Sequence, residues 1–206
     1  IGTLARDERN SVVVVSGRDR ATLTRWLGDL PISLIAEHGV WLQPKDGEWT
    51  TIEPMNDLWK ERVRPVLEMF VDRTPGSFIE EKDFSLVWHY RASQPELAET
   101  RRVELRQALT GMLKDLGLAA MEGNKVVEVK RAEVNKGRAA HRWMSEEGVE
   151  FVLAIGDDRT DEDVFASAPS GAWTIKVGPG ATEAGYSVKG VSDVRRLLAR
   201  MTEVDQ

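Results

Sequence analysis

The stretch Gly156-Asp157-Asp158-Arg159-Thr160-Asp161-Glu162-Asp163 directly follows an apolar run at 151–155, and together they are the most informative part of the chain. An uninterrupted apolar run is typical of a strand buried in a parallel sheet. Five carboxylates fall within 157–163, and such closely spaced like charges repel one another where water is scarce. Mg²⁺ relieves that repulsion and prefers carboxylate oxygens. The stretch predicts either a magnesium site or a solvated acidic turn in which Thr160 and Asp163 cap a helix.

Similar apolar runs lie at 12–15, 32–36 and 173–177, each followed by a Gly or polar turn and then a helix-like stretch. Strands that alternate with helices predict an α/β fold with a Rossmann-like parallel sheet. Ligands of such sheets bind beyond the carboxyl ends of the strands. Ser16, Glu37 and Asp157 all stand at predicted strand ends.

The middle of the chain predicts a different architecture. A helix is expected over 56–71, a hairpin over 78–90 with its turn near Lys82-Asp83, and a helix over 95–116 that Gly117 ends. A second hairpin is expected over 118–129 with a Gly123-Asn124 turn. This order predicts an antiparallel α+β domain, residues 51–133, inserted into an α/β core formed by 1–50 and 134–206.

Composition narrows the class of protein. Of the 206 residues, 41% are hydrophobic and 30% charged, as in ordinary globular proteins, and the net charge is −6. The chain therefore has no overall basic field for nucleic acid or an anionic membrane, and we expect neither as a partner. No apolar run approaches the ~20 residues of a membrane span. The absence of Cys fits a reducing compartment, so a cytoplasmic location is expected.

Two further segments suggest phosphate chemistry. The turn Ser16-Gly17-Arg18 offers a hydroxyl and successive N–H groups to a phosphate oxygen, or else is an ordinary turn that Ser16 caps. Lys136 lies near a helix start, where its charge is unfavourable beside the positive end of the helix dipole unless an anion lies between the two. The alternative is that its side chain faces solvent. With the acidic stretch, these segments supply phosphate donors, a cation and metal-binding carboxylates, which phosphoryl transfer needs.

The order of these segments resembles motifs II, III and IV of the haloacid dehalogenase superfamily. More narrowly, the chain resembles trehalose-6-phosphate phosphatases, especially those fused to trehalose-6-phosphate synthase, over nearly its whole length. The segments that carry the resemblance are Val15-Ser16-Gly17-Arg18-Asp19-Arg20, Ala36-Glu37-His38-Gly39, Ser85-Leu86-Val87-Trp88-His89-Tyr90-Arg91, Val126-Val127-Glu128-Val129, Val134-Asn135-Lys136-Gly137 and the acidic stretch. The resemblance implies a core with an inserted cap, and hydrolysis of trehalose 6-phosphate to trehalose and phosphate.

The resemblance also implies roles for the residues of the strand ends. Ser16, with Gly17 and Arg18, would bind the phosphoryl group, and Lys136 would neutralise its charge. The metal ligand would be Asp157, with two further carboxylates that complete or orient the Mg²⁺ shell, Asp158 and Asp161.

Sugar contacts are implied for Glu37 and His38, and for Lys125 and Glu128 in the inserted domain. Carboxylates and ammonium groups can satisfy many sugar hydroxyls. The alternative for Lys125 and Glu128 is a cross-strand pair on an exposed hairpin face.

The family's nucleophile lies in an Asp-x-Asp-Gly-Thr motif, which does not occur in these residues. We therefore expect that motif upstream of Ile1, and we expect the chain by itself to be inactive. Its strand would separate the strands at 12–15 and 151–155 by about 9–10 Å, twice the usual spacing. Two other functions remain open: a non-catalytic domain that binds sugar phosphate or regulates a fused synthase, and a phosphatase for another sugar or glycerate phosphate.

Overall fold

The computed structural model describes residues 1–52, 56–145 and 148–203. The chain divides into two compact units, residues 1–53 with 134–206, and residues 54–133. In chain order the elements are α1 (Gly2–Arg6), β1 (Val13–Val15), α2 (Arg20–Leu27), β2 (Ser33–Ala36), β3 (Trp41–Gln43), β4 (Thr50–Thr51), α3 (Lys60–Asp72), β5 (Phe78–Glu81), β6 (Ser85–His89), α4 (Pro95–Leu116), β7 (Leu118–Gly123), β8 (Val126–Arg131), α5 (Lys136–Met144), β9 (Leu153–Gly156), a 3₁₀ turn (Arg159–Asp161), α6 (Glu162–Ser167), β10 (Trp173–Val177), β11 (Tyr186–Val188) and α7 (Val191–Glu203).

The first unit confirms the predicted α/β class. One of its sheets has the order β1-β2-β3-β4, with β1 and β2 parallel and the next pairs antiparallel. The other has the order β11-β10-β9, and both of its pairings are parallel. Strand β2 is buried on both faces: Leu34 and Ala36 pack in a cluster with Leu23 of α2, and Ile35 packs with Ala139 of α5. The end of β2 is thereby fixed relative to α2 and α5.

Strands β1 and β9 differ from expectation because their residues, apart from the buried Gly156 at the end of β9, are half-buried rather than buried on both faces. Each stands at the end of its sheet and, among the described residues, pairs on one side only. A strand with one free edge lacks half of its lateral neighbours. No hydrogen-bonded pairing joins β1 to β9 in the described part of the chain, so a further strand between them stays a prediction.

The second unit is an antiparallel sheet, β5-β6-β8-β7, with two helices packed on one face. Its core contains Leu86 and Trp88 of β6 with Leu105 and Leu109 of α4, all fully buried. The predicted bounds of α4 are confirmed, and Gly117 ends the helix in a left-handed conformation with φ 65°. No helix of the described residues combines the length and apolarity that crossing a membrane requires.

The second hairpin turns one residue later than predicted. Gly123 belongs to β7 and pairs with Val126, so the loop consists of Asn124 and Lys125. Lys125 has φ 66°, a positive value that two-residue hairpin loops typically demand.

Side-chain caps fix the starts of two helices in the first unit. Helix α2 begins at Arg20 because the Asp19 carboxylate accepts a hydrogen bond from the Thr22 N–H at 2.8 Å. Helix α5 begins at Lys136 because the Asn135 carboxamide oxygen accepts from the Arg138 N–H at 2.8 Å. These caps satisfy N–H groups that the first helical turn leaves unpaired.

Candidate active site

The turns that follow β1 and β2 are joined by main-chain hydrogen bonds. The His38 N–H donates to the Ser16 carbonyl at 2.9 Å, and the Glu37 N–H donates to the Arg18 carbonyl at 3.0 Å. The Ser16 hydroxyl oxygen accepts from the Arg18 N–H at 3.1 Å. Ser16 therefore orders its own turn and is not the cap of α2, which is Asp19. The two turns form one surface at the carboxyl ends of their strands.

The β2 turn has an unusual backbone. Glu37, His38 and Gly39 have φ values of 49°, 59° and 114°, so three successive residues are left-handed. Left-handed backbone is strained for residues other than Gly and is concentrated at functional sites. Glu37 is buried, and the His38 ring lies so close to Gly17 that a Cβ there would stand 2.4 Å from its Nε2. The predicted phosphate turn and the predicted sugar-contacting segment thus pack directly on each other.

Lys136 does not face solvent, so that alternative is wrong. Its side chain is only 7% exposed, and its Nζ donates to Asp161 Oδ1 at 2.8 Å. The anion that offsets the unfavourable position of a cation at a helix start is therefore a carboxylate of the acidic stretch. This contact joins the start of α5 to the acidic stretch.

Asp161 also holds the backbone of the acidic stretch. Its Oδ2 accepts from the Asp157 N–H at 3.0 Å and from the Asp158 N–H at 2.9 Å. Asp158 and Asp161 form a capping box around the 3₁₀ turn, and the predicted Thr160–Asp163 cap is wrong. The position of the cap differs from the prediction because a 3₁₀ turn precedes α6. This turn begins at Arg159, three residues before the helix.

The five carboxylates do not form one cluster. Asp158 caps the 3₁₀ turn, Asp161 pairs with Lys136, and Glu162 pairs with a second lysine, Lys176. No group of three or more potential metal ligands is found within residues 1–52, 56–145 and 148–203. Buried ammonium groups therefore neutralise two of the five carboxylates, Asp161 and Glu162.

Asp157 is the carboxylate that fits Mg²⁺. It is exposed at the end of β9, and among the described residues its side chain has no partner. Mg²⁺ commonly takes one or two protein carboxylates and completes its six ligands with phosphate oxygens and water. The donor set fits that pattern with Asp157 as ligand and Asp161 as the residue that orients it.

Sequence reasoning missed Lys176, the fourth residue of β10. Its Nζ donates to the Asp157 carbonyl at 2.8 Å and lies 3.2 Å from Glu162 Oε1. Burial by itself would raise the pKa of Glu162, but hydrogen bonds from the Glu183 N–H, Thr182 and the lysine outweigh burial and lower that pKa. The available signal was a lone charged residue inside the predicted strand at 173–177.

The predicted residues of the second unit are not brought together. Lys125 lies in the hairpin loop, with its Nζ 6.0 Å from the centroid of the Tyr90 ring. Glu128 is buried, and its Oε1 accepts from the Ser85 hydroxyl at 2.8 Å and from Lys82 Nζ at 3.3 Å. The alternative of an exposed Lys125–Glu128 pair is therefore wrong.

Sequence reasoning missed Lys130, which is also buried. It stands two residues from Glu128 in the same strand and so on the same sheet face.

Gly137 provides a test of the packing between α5 and α6. A Cβ at this position would lie 2.2 Å from the Asp163 carbonyl oxygen, which is backbone and cannot swing away. We expect Gly137→Ala to destabilise the protein by about 1–3 kcal/mol and to lower its thermal midpoint by several degrees. The matched control is Gly111→Ala in α4, where a Cβ meets nothing within 4 Å. That variant should gain up to about 1 kcal/mol, and equal midpoints for the two variants would contradict the observed packing.

The chain matches known proteins over most of its length. The family model described as Trehalose-phosphatase matches residues 1–192. A bifunctional trehalose-6-phosphate synthase/phosphatase of Thermoproteus tenax is 41% identical over 98% of this chain, and a trehalose-phosphatase of Saccharomyces cerevisiae is 38% identical over 79%. The chain spans 28% and 21% of the lengths of those two proteins.

The fold is also that of a solved relative. The C-terminal domain of the C. albicans trehalose-6-phosphate phosphatase aligns with a TM-score of 0.86 and 28% identity, over 98% of this chain and 81% of that domain. The predicted α/β core of the haloacid dehalogenase type, with an inserted α+β domain, is thereby confirmed.

Proposed function

We propose, from the premise that this chain belongs to the Trehalose-phosphatase family, that it is the phosphatase part of a Mg²⁺-dependent enzyme of trehalose biosynthesis. The enzyme would hydrolyse trehalose 6-phosphate to trehalose and phosphate. The Lys136–Asp161 contact is the observation that carries the proposal. It links a buried ammonium to the carboxylate that holds the N–H groups of Asp157 and Asp158, so cation and metal ligand share one rigid support.

Each strand end would then have a defined task. The Ser16 hydroxyl and the Gly17 N–H would donate to phosphoryl oxygens, with Arg18 nearby. Lys136 would neutralise the charge that develops on the transferring group, in a site where burial strengthens electrostatic interactions. Mg²⁺, held by Asp157, would polarise a phosphoryl oxygen when bound.

The proposed reaction has two steps. In the first, a carboxylate oxygen of an Asp that is not among these residues bonds to phosphorus as the ester bond to the sugar breaks, and the sugar oxygen takes a proton from a second Asp of the same motif. In the second, water gives a proton to that second Asp and attacks phosphorus, the bond between phosphorus and the first Asp breaks, and phosphate is released. The residues described here bind and neutralise the phosphoryl group in both steps.

Sugar recognition is proposed for two buried carboxylates. Glu37 lies in the strained β2 turn, and Glu128 lies on the sheet of the second unit. A carboxylate accepts hydrogen bonds from several hydroxyls at once, and a site built to pair with them discriminates strongly against analogues that lack them. His38 and Lys125 remain candidates for the same role.

A phosphate-release assay tests the function. The full-length protein would be incubated with Mg²⁺ and, separately, trehalose 6-phosphate, glucose 6-phosphate and 3-phosphoglycerate. We expect kcat/KM for trehalose 6-phosphate to exceed the other two by about 100-fold or more. Preference for another ester would contradict the substrate. Absence of turnover, with binding of trehalose 6-phosphate seen by calorimetry, would indicate the non-catalytic regulatory alternative.

A synthase is the proposed partner. The Thermoproteus tenax relative is named a bifunctional synthase/phosphatase, and this chain matches 28% of its length. We propose that a trehalose-6-phosphate synthase is fused to this phosphatase or associated with it. The mass of the native polypeptide, or co-purification of synthase activity, checks this.

A further inference from the structure

We infer that Lys176 is a positioning residue, which sets the direction of the Asp157 carboxylate by fixing the main chain of Asp157. The inference rests on the proposed function, because it assigns that carboxylate the task of holding Mg²⁺. Lys176 itself would touch neither metal nor substrate. It would act through a single main-chain carbonyl.

Both main-chain polar groups of Asp157 are held by charged side chains. Asp161 Oδ2 accepts from the Asp157 N–H at 3.0 Å, and Lys176 Nζ donates to the Asp157 carbonyl at 2.8 Å. Charge-assisted hydrogen bonds of this kind are stronger than neutral ones. With N–H and carbonyl both fixed, the peptide planes on either side of Asp157 cannot rotate freely, so the Cα–Cβ bond that carries the carboxylate points in one direction.

Lys176 is itself immobilised. Its backbone lies beside Gly156 in the β9–β10 ladder, and its side chain is 7% exposed. Its ammonium also lies 3.2 Å from Glu162 Oε1, while Glu162 Oε2 accepts from the Thr182 hydroxyl at 2.9 Å and the Glu183 N–H at 2.8 Å. The donor to the Asp157 carbonyl is therefore anchored to the strand, to α6 and to the segment before β11.

The contacts of the lysine favour positioning over stability as its role. A buried ion pair is often no more stabilising than apolar residues of similar volume, so stability alone does not require a charged pair at position 176. An apolar side chain at 176 could pack in the same strand but would leave the Asp157 carbonyl without this donor. The ammonium is needed for the carbonyl contact.

Charge and positioning predict opposite effects on magnesium binding. If Lys176 acted only as a charge, its removal would reduce repulsion of a nearby cation, and Mg²⁺ would bind more tightly. If Lys176 positions Asp157, its removal frees the peptide and Mg²⁺ binds more weakly. Loss of a residue that orients a metal ligand typically costs about 10–100-fold in metal affinity.

The experiment is calorimetric titration of the metal-free, full-length protein with MgCl₂, without substrate. We expect Kd for Mg²⁺ to rise about 10-fold or more in Lys176→Met relative to wild type. An unchanged or lowered Kd would overturn the inference. Should that variant not fold, Lys176→Arg keeps the buried charge but replaces the compact ammonium by a planar guanidinium, and we expect its Kd to rise as well. An unchanged Kd in Lys176→Arg would then overturn the inference.

Lys60 is a matched control from the other unit. Its side chain is also 7% exposed, and its Nζ contacts Glu81 Oε1 at 3.1 Å and the carbonyl of Asp83 at 2.7 Å. Lys60→Met should lower the thermal midpoint as Lys176→Met does, yet leave Kd for Mg²⁺ within about two-fold of wild type, since it shares no partners with Asp157. An equal rise in both variants would show a merely structural effect and overturn the inference. Failure of the wild type to bind Mg²⁺ would instead contradict the proposed metal site, and the inference with it.

Discussion

Asp157→Asn is expected to lower phosphate release from trehalose 6-phosphate by about 100-fold or more in the full-length protein. An amide oxygen carries no net charge, so it binds Mg²⁺ far more weakly than a carboxylate does. The fold should be unaffected, because the Asp157 side chain is exposed and has no partner among the described residues. The measurements are kcat and KM at saturating Mg²⁺, together with the thermal midpoint.

Asp163→Asn is the matched control for this variant. Asp163 belongs to the same acidic stretch and is also exposed, but it lies in the first turn of α6 and has no proposed contact with the metal. Its replacement changes the net charge equally, and we expect activity within about two-fold of wild type, as for most surface substitutions. Full activity of Asp157→Asn would rule out the metal role of Asp157. Equal losses in the two variants would indicate a general field effect instead.

Lys136→Met is expected to reduce both turnover and stability. Removal of one preorganised electrostatic contact to the transition state commonly costs about 10²–10³-fold in kcat. Removal of one partner of a buried ion pair costs about 3–5 kcal/mol, because the remaining charge stays buried without compensation. The pair is largely buried, with Lys136 and Asp161 side chains 7% and 15% exposed. Steady-state kinetics and denaturant unfolding measure the two effects separately.

A double variant separates the two roles of this lysine. In Lys136→Met with Asp161→Asn, no unpaired carboxylate remains, while the carboxamide oxygen introduced at position 161 can still accept from the Asp157 and Asp158 N–H groups. We expect much of the lost stability to return, but not the turnover. Recovery of turnover along with stability would show that Lys136 is a structural residue and takes no part in phosphoryl transfer.

Local chemistry made several elements predictable from the sequence. Pro95 fits the first turn of a helix and Gly117 adopts the left-handed conformation after it, so the bounds of α4 follow from backbone preferences alone. The run at 173–177 carries β-branched and aromatic residues and forms β10 over the same range. Lys136 and Asp157 were likewise identified as candidates because each combines a charge with a strand end or helix start.

Features set by tertiary contacts were not predictable. The apolar runs at 12–15 and 151–155 indicate burial, but the exposure of β1 and β9 depends on which strands lie beside them. The pairing of Lys136 with Asp161 joins residues 25 positions apart, and that of Lys176 with the Asp157 carbonyl joins residues 19 apart. No local periodicity encodes such pairs. The carboxylates of 157–163 therefore looked like one repelling cluster, although lysines of α5 and β10 pair with two of them.

The open edges of β1 and β9 have a consequence for handling this polypeptide in isolation. In the described part of the chain, each strand presents a row of backbone donors and acceptors that no neighbouring strand uses. Such rows can act as templates for strands of other molecules, which is a common origin of oligomers and fibrils. At high concentration the 206-residue chain is therefore prone to self-association, and dilute conditions should suppress it.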